Sequence, residues 1–422
     1  MKGTFNNILD KVQRLSEICK QGTVLALDQV TAMKNCHPNS VSIVWMLLCI
    51  RICFGAFYAE TAWMEYLLWG AIAVMTLKRL LQEKALISKG NKQFFLYFAG
   101  LIGWMLIGCL LTRSFHAIKT TIIVMVLCCF ILEMTFKQRQ VQICYFRVFY
   151  AIVLFALLIY TISGVNLGNT IPGCMVFLTC GYVVAESLQG NPGEQQGKWM
   201  KSGRFWMLAV TMVLAFVISW ESSARTASLV VLVIVFALAV FSKVNKKYVM
   251  TIFYVCVAGT ILFTAMYAFI RYMPFFEQAD QLSKKLFQKS LDSSRPGLWR
   301  TSLAELSWWQ WLIGKGTGIL PSIERYDNSS FHNSYIQLLM QNGVVGLAIL
   351  YALLGSFWKK LAAYAEDNIV KFVLATFVGI MVYNCFETTL LQNKTFLGIV
   401  QWLVLMLGLL RCKQLQRKER LE

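Results

Sequence analysis

The stretch "SSFHNSYIQLLMQNGVVGLAIL" at residues 329–350 begins with polar residues and continues as an apolar run. Its polar part holds His332, one of only three histidines in the chain. An apolar helix of about 20 residues is long enough to cross the roughly 30 Å hydrocarbon core of a bilayer. The stretch therefore predicts a place where a polar segment enters a membrane.

The whole chain has the composition of a membrane protein. Of its 422 residues, 57% are hydrophobic and 14% are charged, and the mean hydropathy is +0.58. Soluble domains carry roughly 45–50% apolar and about 25% charged residues. The apolar residues cluster in runs of about 16–22 rather than in the alternating strands of a membrane β-barrel. We therefore predict an all-α polytopic membrane protein.

We predict about twelve transmembrane helices, and an even number places both termini on one side. The predicted spans are 41–59, 62–77, 94–112, 118–135, 143–163, 170–187, 205–220, 228–242, 248–270, 335–358, 370–390 and 395–410. They divide the chain into an N-terminal segment (1–40), helices 1–9 (41–270), a large loop (271–334), helices 10–12 (335–410) and a basic tail (411–422).

The net charge of +19 is distributed unevenly along this topology. Most of the 40 Lys and Arg residues fall on the side of the termini, whereas the short loops on the other side carry few. Positively charged loops stay in the cytoplasm, so both termini are predicted to be cytoplasmic. The excess charge then serves orientation and contact with anionic lipids. Nucleic-acid binding is not expected, because the sequence lacks a basic stripe with interleaved aromatic residues in a soluble domain.

The N-terminal segment 1–40 is too polar for a signal peptide. Its apolar residues from Phe5 to Cys19 fall at helical spacing with basic residues between them. This pattern is typical of a helix on the cytoplasmic membrane surface, and equally of a packing helix under the bundle.

The 13 cysteines lie mostly within predicted spans, and none lies between residues 257 and 384. Neither a CxxC pair nor a Cys/His ligand spacing occurs. We therefore expect packing residues rather than disulfides or a metal site.

The loop 271–334 is about 64 residues long, and loops of this length are usually functional or disordered. Residues 275–291 and 298–314 read as amphipathic helices, and Trp308, Trp309 and Trp311 of the second are suited to a membrane interface. The glycine-rich "GKGTGILPS" follows at 314–322. It lacks the P-loop pattern, and we predict a turn there.

Three outer residues, Arg225, Arg295 and His332, form the strongest chemical set. An arginine fork makes two charge-assisted hydrogen bonds to phosphate oxygens, so two arginines can hold a lipid-linked pyrophosphate and stabilise it as a leaving group. A histidine can accept a proton from an attacking hydroxyl. Taken singly, each of the three also fits an ordinary residue that meets lipid headgroups or solvent.

Other charged or polar residues are further candidates. Arg300 and Asn333 are substrate-binding candidates, and Glu324 and Asp327 are secondary ones. Arg51 lies within a span, where it has either a catalytic role or a structural ion pair with Glu60 or Glu387. His116 we treat as background.

The sequence around His332 resembles the H-[NSQ]-x9-G-x-x-G signature of the O-antigen ligase and polymerase superfamily, since Gly343 and Gly346 follow His332–Asn333 at the required distance. "SSRPGLWRTSLAELSWWQWLIGKGTG" and "SSARTASLV" are similar to two arginine-bearing segments of that family. These motifs cover about residues 220–350, and the topology covers the whole chain.

The resemblance implies a membrane glycosyltransferase fold. It also implies a donor glycan on undecaprenyl pyrophosphate, which is moved en bloc to an acceptor during O-antigen-like or capsule-like surface polysaccharide assembly. Arg225 and Arg295 match the family's pyrophosphate-binding arginines, and His332 matches its essential histidine. No metal or cofactor is expected. Gly343 and Gly346 are expected to allow close helix packing.

Two activities of the family share this chemistry, and we favour the first. A repeat-unit polymerase joins lipid-linked chains, whereas an O-antigen ligase transfers the glycan to lipid A-core or another acceptor. A lipid-linked glycan flippase or other transporter is the rival from another class. The expected location is the bacterial inner membrane with the active site on the outer face. Expected partners are the donor, the acceptor, membrane lipids, and a chain-length regulator and flippase of the same pathway.

Overall fold

The computed structural model describes residues 30–34, 36–55, 62–82, 92–136, 141–163, 170–189, 212–213, 215–218, 220, 224–287, 290–291, 295–321, 330–392 and 395–421. In this part of the chain the regular structure is helical, with no strand. The helices with defined bounds are α1 (Ser40–Gly55), α2 (Ala62–Gln82), α3 (Lys92–Thr112), α4 (Phe115–Phe136), α5 (Ile143–Ile162), α6 (Thr170–Ser187), α7 (Arg225–Lys243), α8 (Val249–Ala268), α9 (Phe276–Phe287), α10 (Arg295–Ala304), α11 (Trp308–Ile313), α12 (Ser334–Ala362), α13 (Asn368–Tyr383) and α14 (Thr395–Leu421).

The described helices confirm an all-α polytopic membrane protein. Eight of them are long and apolar enough to cross a membrane, and α1, α2 and α13 contain shorter apolar stretches. The predicted seventh span, 205–220, and the N-terminal segment 1–29 lie largely or wholly outside the described residues. The count of twelve spans therefore stays a prediction.

Helices α6 and α14 form the centre of the bundle, since both are buried almost all round. Large aromatic side chains fill the space beside α14, where the Phe357 ring lies 5.4 Å from that of Trp402 and the Trp358 ring 5.3 Å from that of Phe377. Helix α8 is instead mostly exposed, as expected for an apolar helix that faces lipid. The most buried helices therefore flank α12 and α13, whose ends position the candidate site.

The loop between α8 and α12 carries helices α9, α10 and α11. Residues 275–291 were predicted as one helix, and α9 occupies most of that range. The single helix predicted over 298–314 is wrong, because α10 ends at Ala304 and α11 begins at Trp308. The break falls at Ser307, the N-cap residue of α11, whose backbone N–H donates to Gln310 Oε1 at 3.0 Å, as in one half of a capping box.

The loop has an apolar core of its own at the end of the bundle where α12 begins. Trp299 is fully buried there, and its indole N–H donates to the Phe331 carbonyl at 2.7 Å. Leu298, Phe331, Ile336 and Met340 complete the contact with α12. The loop is therefore fixed to the start of α12, next to His332.

A sharp kink divides α12 at Gly343, which has φ +65° and ψ −172°. A side chain at this position would collide with the Leu312 carbonyl of α11. The Asn342 carbonyl at the kink accepts a hydrogen bond from Trp104 of α3 at 2.8 Å. Gly343 does allow close packing, but its neighbour is the loop helix α11 rather than another membrane helix.

The glycine-rich segment after α11 forms a turn, as predicted, and it bonds to α12 just before the kink. Lys315 and Gly316 donate their backbone N–H groups to the Met340 and Gln341 carbonyls at 2.8 and 3.0 Å. Gly314 has φ +83°, and a Cβ there would collide with the Gln341 carbonyl. The turn and the outer part of α12 are therefore joined through their backbones.

Candidate functional site

His332 lies directly before α12 in a backbone conformation that is uncommon for a residue with a side chain, with φ +52°. Its backbone N–H donates to the Ser330 hydroxyl at 3.0 Å. Its side chain is 36% exposed, although Nδ1 is buried. The rest of the ring, which includes Nε2, therefore supplies the exposed surface and is available to a substrate.

Asn333 fixes this conformation from the inside. Its side chain is fully buried and accepts hydrogen bonds from the Tyr335 and Ile336 N–H groups at 2.8 and 3.0 Å, so it caps α12. Its amide donates to the Cys385 carbonyl at 2.9 Å. Asn333 was predicted as a substrate-binding residue. In the structure it is buried and holds the backbone that carries His332.

Glu387 connects two of the predicted residues. The Arg295 guanidinium donates to the Phe386 carbonyl at 2.7 Å and to Glu387 Oε1 at 3.2 Å. The other oxygen of Glu387, Oε2, lies 3.8 Å from His332 Nδ1. That separation is slightly too long for a hydrogen bond, but catalytic contacts often shorten when substrate binds. Glu387 is nearly buried, with 4% of its side chain exposed.

Sequence reasoning named Glu387 only as a possible partner of Arg51. The reason is that residues 384–390 were predicted to continue the eleventh span, whereas α13 ends at Tyr383 and residues 384–392 are not helical. A carboxylate within a predicted span, close to its outer end, was the available signal.

Asn384 holds this non-helical segment in place. Its side-chain oxygen accepts from the Ser334 hydroxyl at 2.7 Å, the Thr389 hydroxyl at 3.1 Å and the Leu390 N–H at 3.1 Å. Its amide donates to Gln401 Oε1 at 3.1 Å. Irregular backbone at membrane depth is tolerated only where the protein surrounds it, and this network satisfies its polar groups. Glu387 is therefore carried on a rigid segment.

Arg225 begins α7 and reaches towards the loop. Its Nη1 donates to the Ser283 hydroxyl at 3.1 Å and to the Ser290 carbonyl at 3.3 Å. Leu291, the residue after Ser290, accepts a hydrogen bond through its carbonyl from the Tyr267 hydroxyl at 3.1 Å, and the Tyr267 ring lies 5.1 Å from that of Trp299 in α10, the helix that Arg295 begins. The segment that Arg225 contacts is thus linked to the helix that carries Arg295.

Ser290, one of the two serine residues that contact Arg225, is held by Asp280 of α9. The Ser290 hydroxyl and the Leu291 N–H both donate to Asp280 Oδ1 at 2.6 Å, and Lys284 Nζ lies 2.7 Å from Oδ2. Hydrogen bonds from Lys284 and Ser290 lower the pKa of Asp280 to about 2. Asp280 is thus a charged anchor that fixes the part of the loop facing Arg225.

The remaining predicted residues lie elsewhere. Arg300 contacts the Tyr272 hydroxyl and stacks over that ring at 5.2 Å. Arg51 is buried between α1 and α14, with its guanidinium 4.6 Å from the centre of the Phe396 ring. His116 is exposed at the start of α4. Glu60, Glu324 and Asp327 lie outside the described residues.

The described residues hold no cluster of three or more His, Cys, Asp or Glu side chains arranged for a metal ion. What the site offers is an exposed imidazole, a carboxylate beside it and two nearby guanidinium groups, all at the same end of the bundle. Such a set can accept a proton and bind a doubly charged phosphate group.

Comparison with known proteins gives no match to any family model and no match among curated proteins.

Proposed function

We propose that the chain is a membrane glycosyltransferase that moves a glycan from undecaprenyl pyrophosphate to an acceptor glycan, and that it is a repeat-unit polymerase of surface polysaccharide. The observation that carries this proposal is the grouping of His332, Glu387 and Arg295 at one end of the bundle, with Arg225 bonded to the loop at the same end. The motif resemblance around His332 supports the choice of donor.

The proposed topology has twelve spans in the bacterial inner membrane, cytoplasmic termini and the site on the outer face. The positive-inside distribution of charge supports this orientation. Successive spans cross the membrane in opposite directions, so spans eight and ten start on the side where span eleven ends. The described helices agree with this, because the starts of α7 and α12 and the end of α13 all contribute to the site.

In the proposed reaction, an acceptor hydroxyl attacks the anomeric carbon of the donor sugar. A C–O bond forms there, and the bond from that carbon to the pyrophosphate oxygen breaks. His332 Nε2 takes the proton of the hydroxyl, and undecaprenyl pyrophosphate leaves with the electron pair of the broken bond. General-base catalysis of this kind contributes typically 10²–10⁴-fold.

Arg225 and Arg295 stabilise the leaving pyrophosphate. A guanidinium has five N–H donors, and the contacts of Arg295 to Phe386 and Glu387 leave others for phosphate oxygens. Glu387 has two tasks in this scheme. It holds the Arg295 fork, and its second oxygen stabilises the imidazolium that forms on His332.

The test is transfer from purified lipid-linked repeat unit by the full-length protein in liposomes. The proposal expects a ladder of longer lipid-linked chains and release of undecaprenyl pyrophosphate. Glu387→Gln should lower the rate roughly tenfold or more, because a neutral amide stabilises an imidazolium less than a carboxylate does. Glu366→Gln is the matched control, since Glu366 is exposed at the other end of the bundle.

Other products would identify the alternatives. Single transfer of a preformed chain to lipid A-core, without a ladder, would make the protein an O-antigen ligase with the same site. Movement of lipid-linked glycan across the liposome without any new glycosidic bond would make it a flippase and overturn the proposal.

A further inference from the structure

The short loop helix α11 exposes most of its apolar side chains. None of its six residues is charged or buried, and Trp308 is 79% exposed. A loop helix that faces water normally turns its apolar side chains towards a core. Contiguous exposed apolar residues of this size mark a surface that another component covers. The exposed residues of α11 are Trp308, Trp309, Trp311 and Leu312.

The backbone of α11 and of the turn after it lies beside the bundle rather than on top of it. The Leu312 carbonyl faces Gly343 in the kink of α12. The Thr317 hydroxyl donates to the Met105 carbonyl of α3 at 2.8 Å, and the Thr112 hydroxyl lies 3.2 Å from the Thr317 carbonyl oxygen. The segment therefore packs against the last two turns of α3 and the first part of α12.

The lengths of α3 and α12 give the depth of these contacts in the membrane. Both helices are long and apolar enough to cross a bilayer, and at the end away from the loop each has an exposed lysine, Lys92 or Lys359. An exposed lysine lies at the membrane surface. At about 1.5 Å per residue, Met105 is about 20 Å from Lys92, and Gly343 is about 24 Å from Lys359. Because the hydrocarbon core is roughly 30 Å thick, both contacts lie inside it, and any tilt of the helices places them deeper.

The irregular backbone after α11 is suited to this depth. Non-helical backbone within a bilayer must be surrounded by protein. Gly314, Gly316 and Thr317 are buried, and the N–H groups of Lys315 and Gly316 bond to carbonyls of α12. The turn therefore hides its polar groups inside the protein, whereas α11 exposes side chains that hydrocarbon accepts.

The exposed surface of α11 lies next to the exposed surface of α3. A Cβ on Gly316 would be 3.4 Å from the Leu111 Cβ, so the turn touches the exposed side of α3. Less than a third of α3 is buried, as expected for a helix that faces lipid. The two exposed surfaces are therefore on neighbouring segments at similar depth. The exposed residues of α3 include Leu106, Ile107, Leu110 and Leu111.

From these observations we infer that α11 is a re-entrant helix that contacts lipid, in the leaflet on the side where α12 begins. Its tryptophans occupy the boundary between acyl chains and headgroups, because an indole ring has an apolar body and a polar N–H group. The helix is only about 8 Å long, so all three tryptophans stay close to the Leu312 contact with α12. The bilayer is the partner that covers α11, and this contact is independent of the proposed glycosyl transfer.

The test measures the depth of α11 with nitroxide labels on the full-length protein in phosphatidylcholine liposomes. Trp309→p-acetylphenylalanine and Leu312→p-acetylphenylalanine each accept an oxime-linked label that leaves the cysteines unmodified. The same label at Leu110, exposed on α3, is the membrane control, and at Glu277, exposed on α9 of the same loop, it is the aqueous control. Power-saturation electron paramagnetic resonance compares collisions with oxygen, which concentrates in the bilayer, and with a water-soluble nickel chelate.

Labels at positions 309 and 312 should collide with oxygen several-fold more often than with the nickel chelate, as at position 110, and at a depth of about 5–10 Å. The label at position 277 should show the opposite preference. Frequent collisions with the nickel chelate at 309 and 312 would place α11 in water. Few collisions with either reagent would mean that protein, such as a second copy of the chain, covers it. Either result would overturn the inference. Both labelled positions are exposed, so the melting temperatures should match that of the wild type.

Discussion

The two ends of the bundle use arginine–carboxylate pairs in different ways. Near the C-terminal end of α14, the Arg411 guanidinium lies 2.8 Å from Asp367 Oδ2, and the two side chains are 1% and 8% exposed. Asp367 also accepts the Ile369 and Val370 N–H groups at 3.0 Å, so it caps α13. This pair is closed to solvent and joins two helices.

At the opposite end, which carries the candidate site and is the proposed outer end, Arg295 is paired with Glu387, but 20% of its side chain is exposed and His332 lies beside the same carboxylate. A second guanidinium, that of Arg225, donates to the Ser283 hydroxyl and the Ser290 carbonyl at the same end of the bundle. A buried ion pair is therefore not by itself a sign of function. What distinguishes the outer pair is its exposure and the neighbouring imidazole.

The largest expected effect tests the outer end. His332→Ala should lower glycan transfer by about 10²–10⁴-fold, the usual contribution of a general base. The rate should also fall at acidic pH, because a protonated imidazole cannot accept a proton. The measurement is transfer from purified lipid-linked glycan between pH 5 and 9.

His116→Ala is the control for this experiment, because His116 is exposed at the start of α4, away from the candidate site. If His332→Gln keeps most of the activity and the fall at acidic pH, His332 only positions the acceptor. Glu324 and Asp327 would then be the candidates for the base.

The next effect tests the closed pair. Arg411→Met should reduce the free energy of unfolding by about 3–5 kcal/mol, because it leaves the Asp367 carboxylate buried without its guanidinium partner. Thermal unfolding in detergent measures the change, and the activity per folded molecule should stay near wild type. Arg420→Met, on the exposed end of the same helix, is the control. An unchanged melting temperature of Arg411→Met would contradict the stabilising role assigned to the Arg411–Asp367 pair.

A smaller effect tests the arginine geometry at the outer end. Arg225→Lys and Arg295→Lys should each lower transfer by about 10²-fold, since lysine keeps the charge but loses the planar fork. Their melting temperatures should change little compared with that of Arg411→Met. Arg113→Lys, at an exposed position between α3 and α4, is the control. Near wild-type turnover in both variants would mean that the arginines provide general electrostatics only.

The smallest effect concerns the loop that faces Arg225. The pKa of Asp280 is lowered to about 2 from its ordinary value of 3.8, so its stabilisation is complete above the ordinary value and is lost as the pH falls towards 2. Hydrogen exchange of α9 should therefore be as well protected at pH 4.5 as at pH 7. Asp280→Asn should reduce this protection at both pH values, whereas Glu277→Gln should not. Loss of protection between pH 5 and 4 would contradict the assignment.

Much of the fold could be predicted because hydrophobic runs and charge asymmetry are local properties of the sequence. The predicted start of span ten at residue 335 differs by one residue from the start of α12 at Ser334. The early end of α13 was not predicted: polar residues Asn384, Glu387, Thr388 and Thr389 follow Tyr383, but Cys385, Phe386 and Leu390 between and after them were included in the span. What ends the helix is a set of contacts from Asn384 to Ser334 and Gln401, which are distant in sequence.

The candidate site was predicted only in part for the same reason, because some of its features depend on contacts between residues distant in sequence. Arg225, Arg295 and His332 were identified by residue type, outer location and motif, and the structure places them at one end of the bundle. Glu387 was missed as their neighbour because its position depends on the non-helical segment after α13. The break before α11 was missed because Ser307 was read as part of an amphipathic pattern rather than as a cap.

The backbone contact between Gly343 and the loop has a consequence for how this sequence can diverge. Gly343 faces the Leu312 carbonyl, and Gly314 faces the Gln341 carbonyl, so each glycine is the space into which the other segment fits. A side chain gained at either position would push the two segments apart, and no single compensating substitution could restore the fit. We expect descendants of this protein to keep or lose the two glycines together. In such lineages Gly343 of the histidine motif would be retained because two segments pack against each other there, and not because it takes part in the reaction.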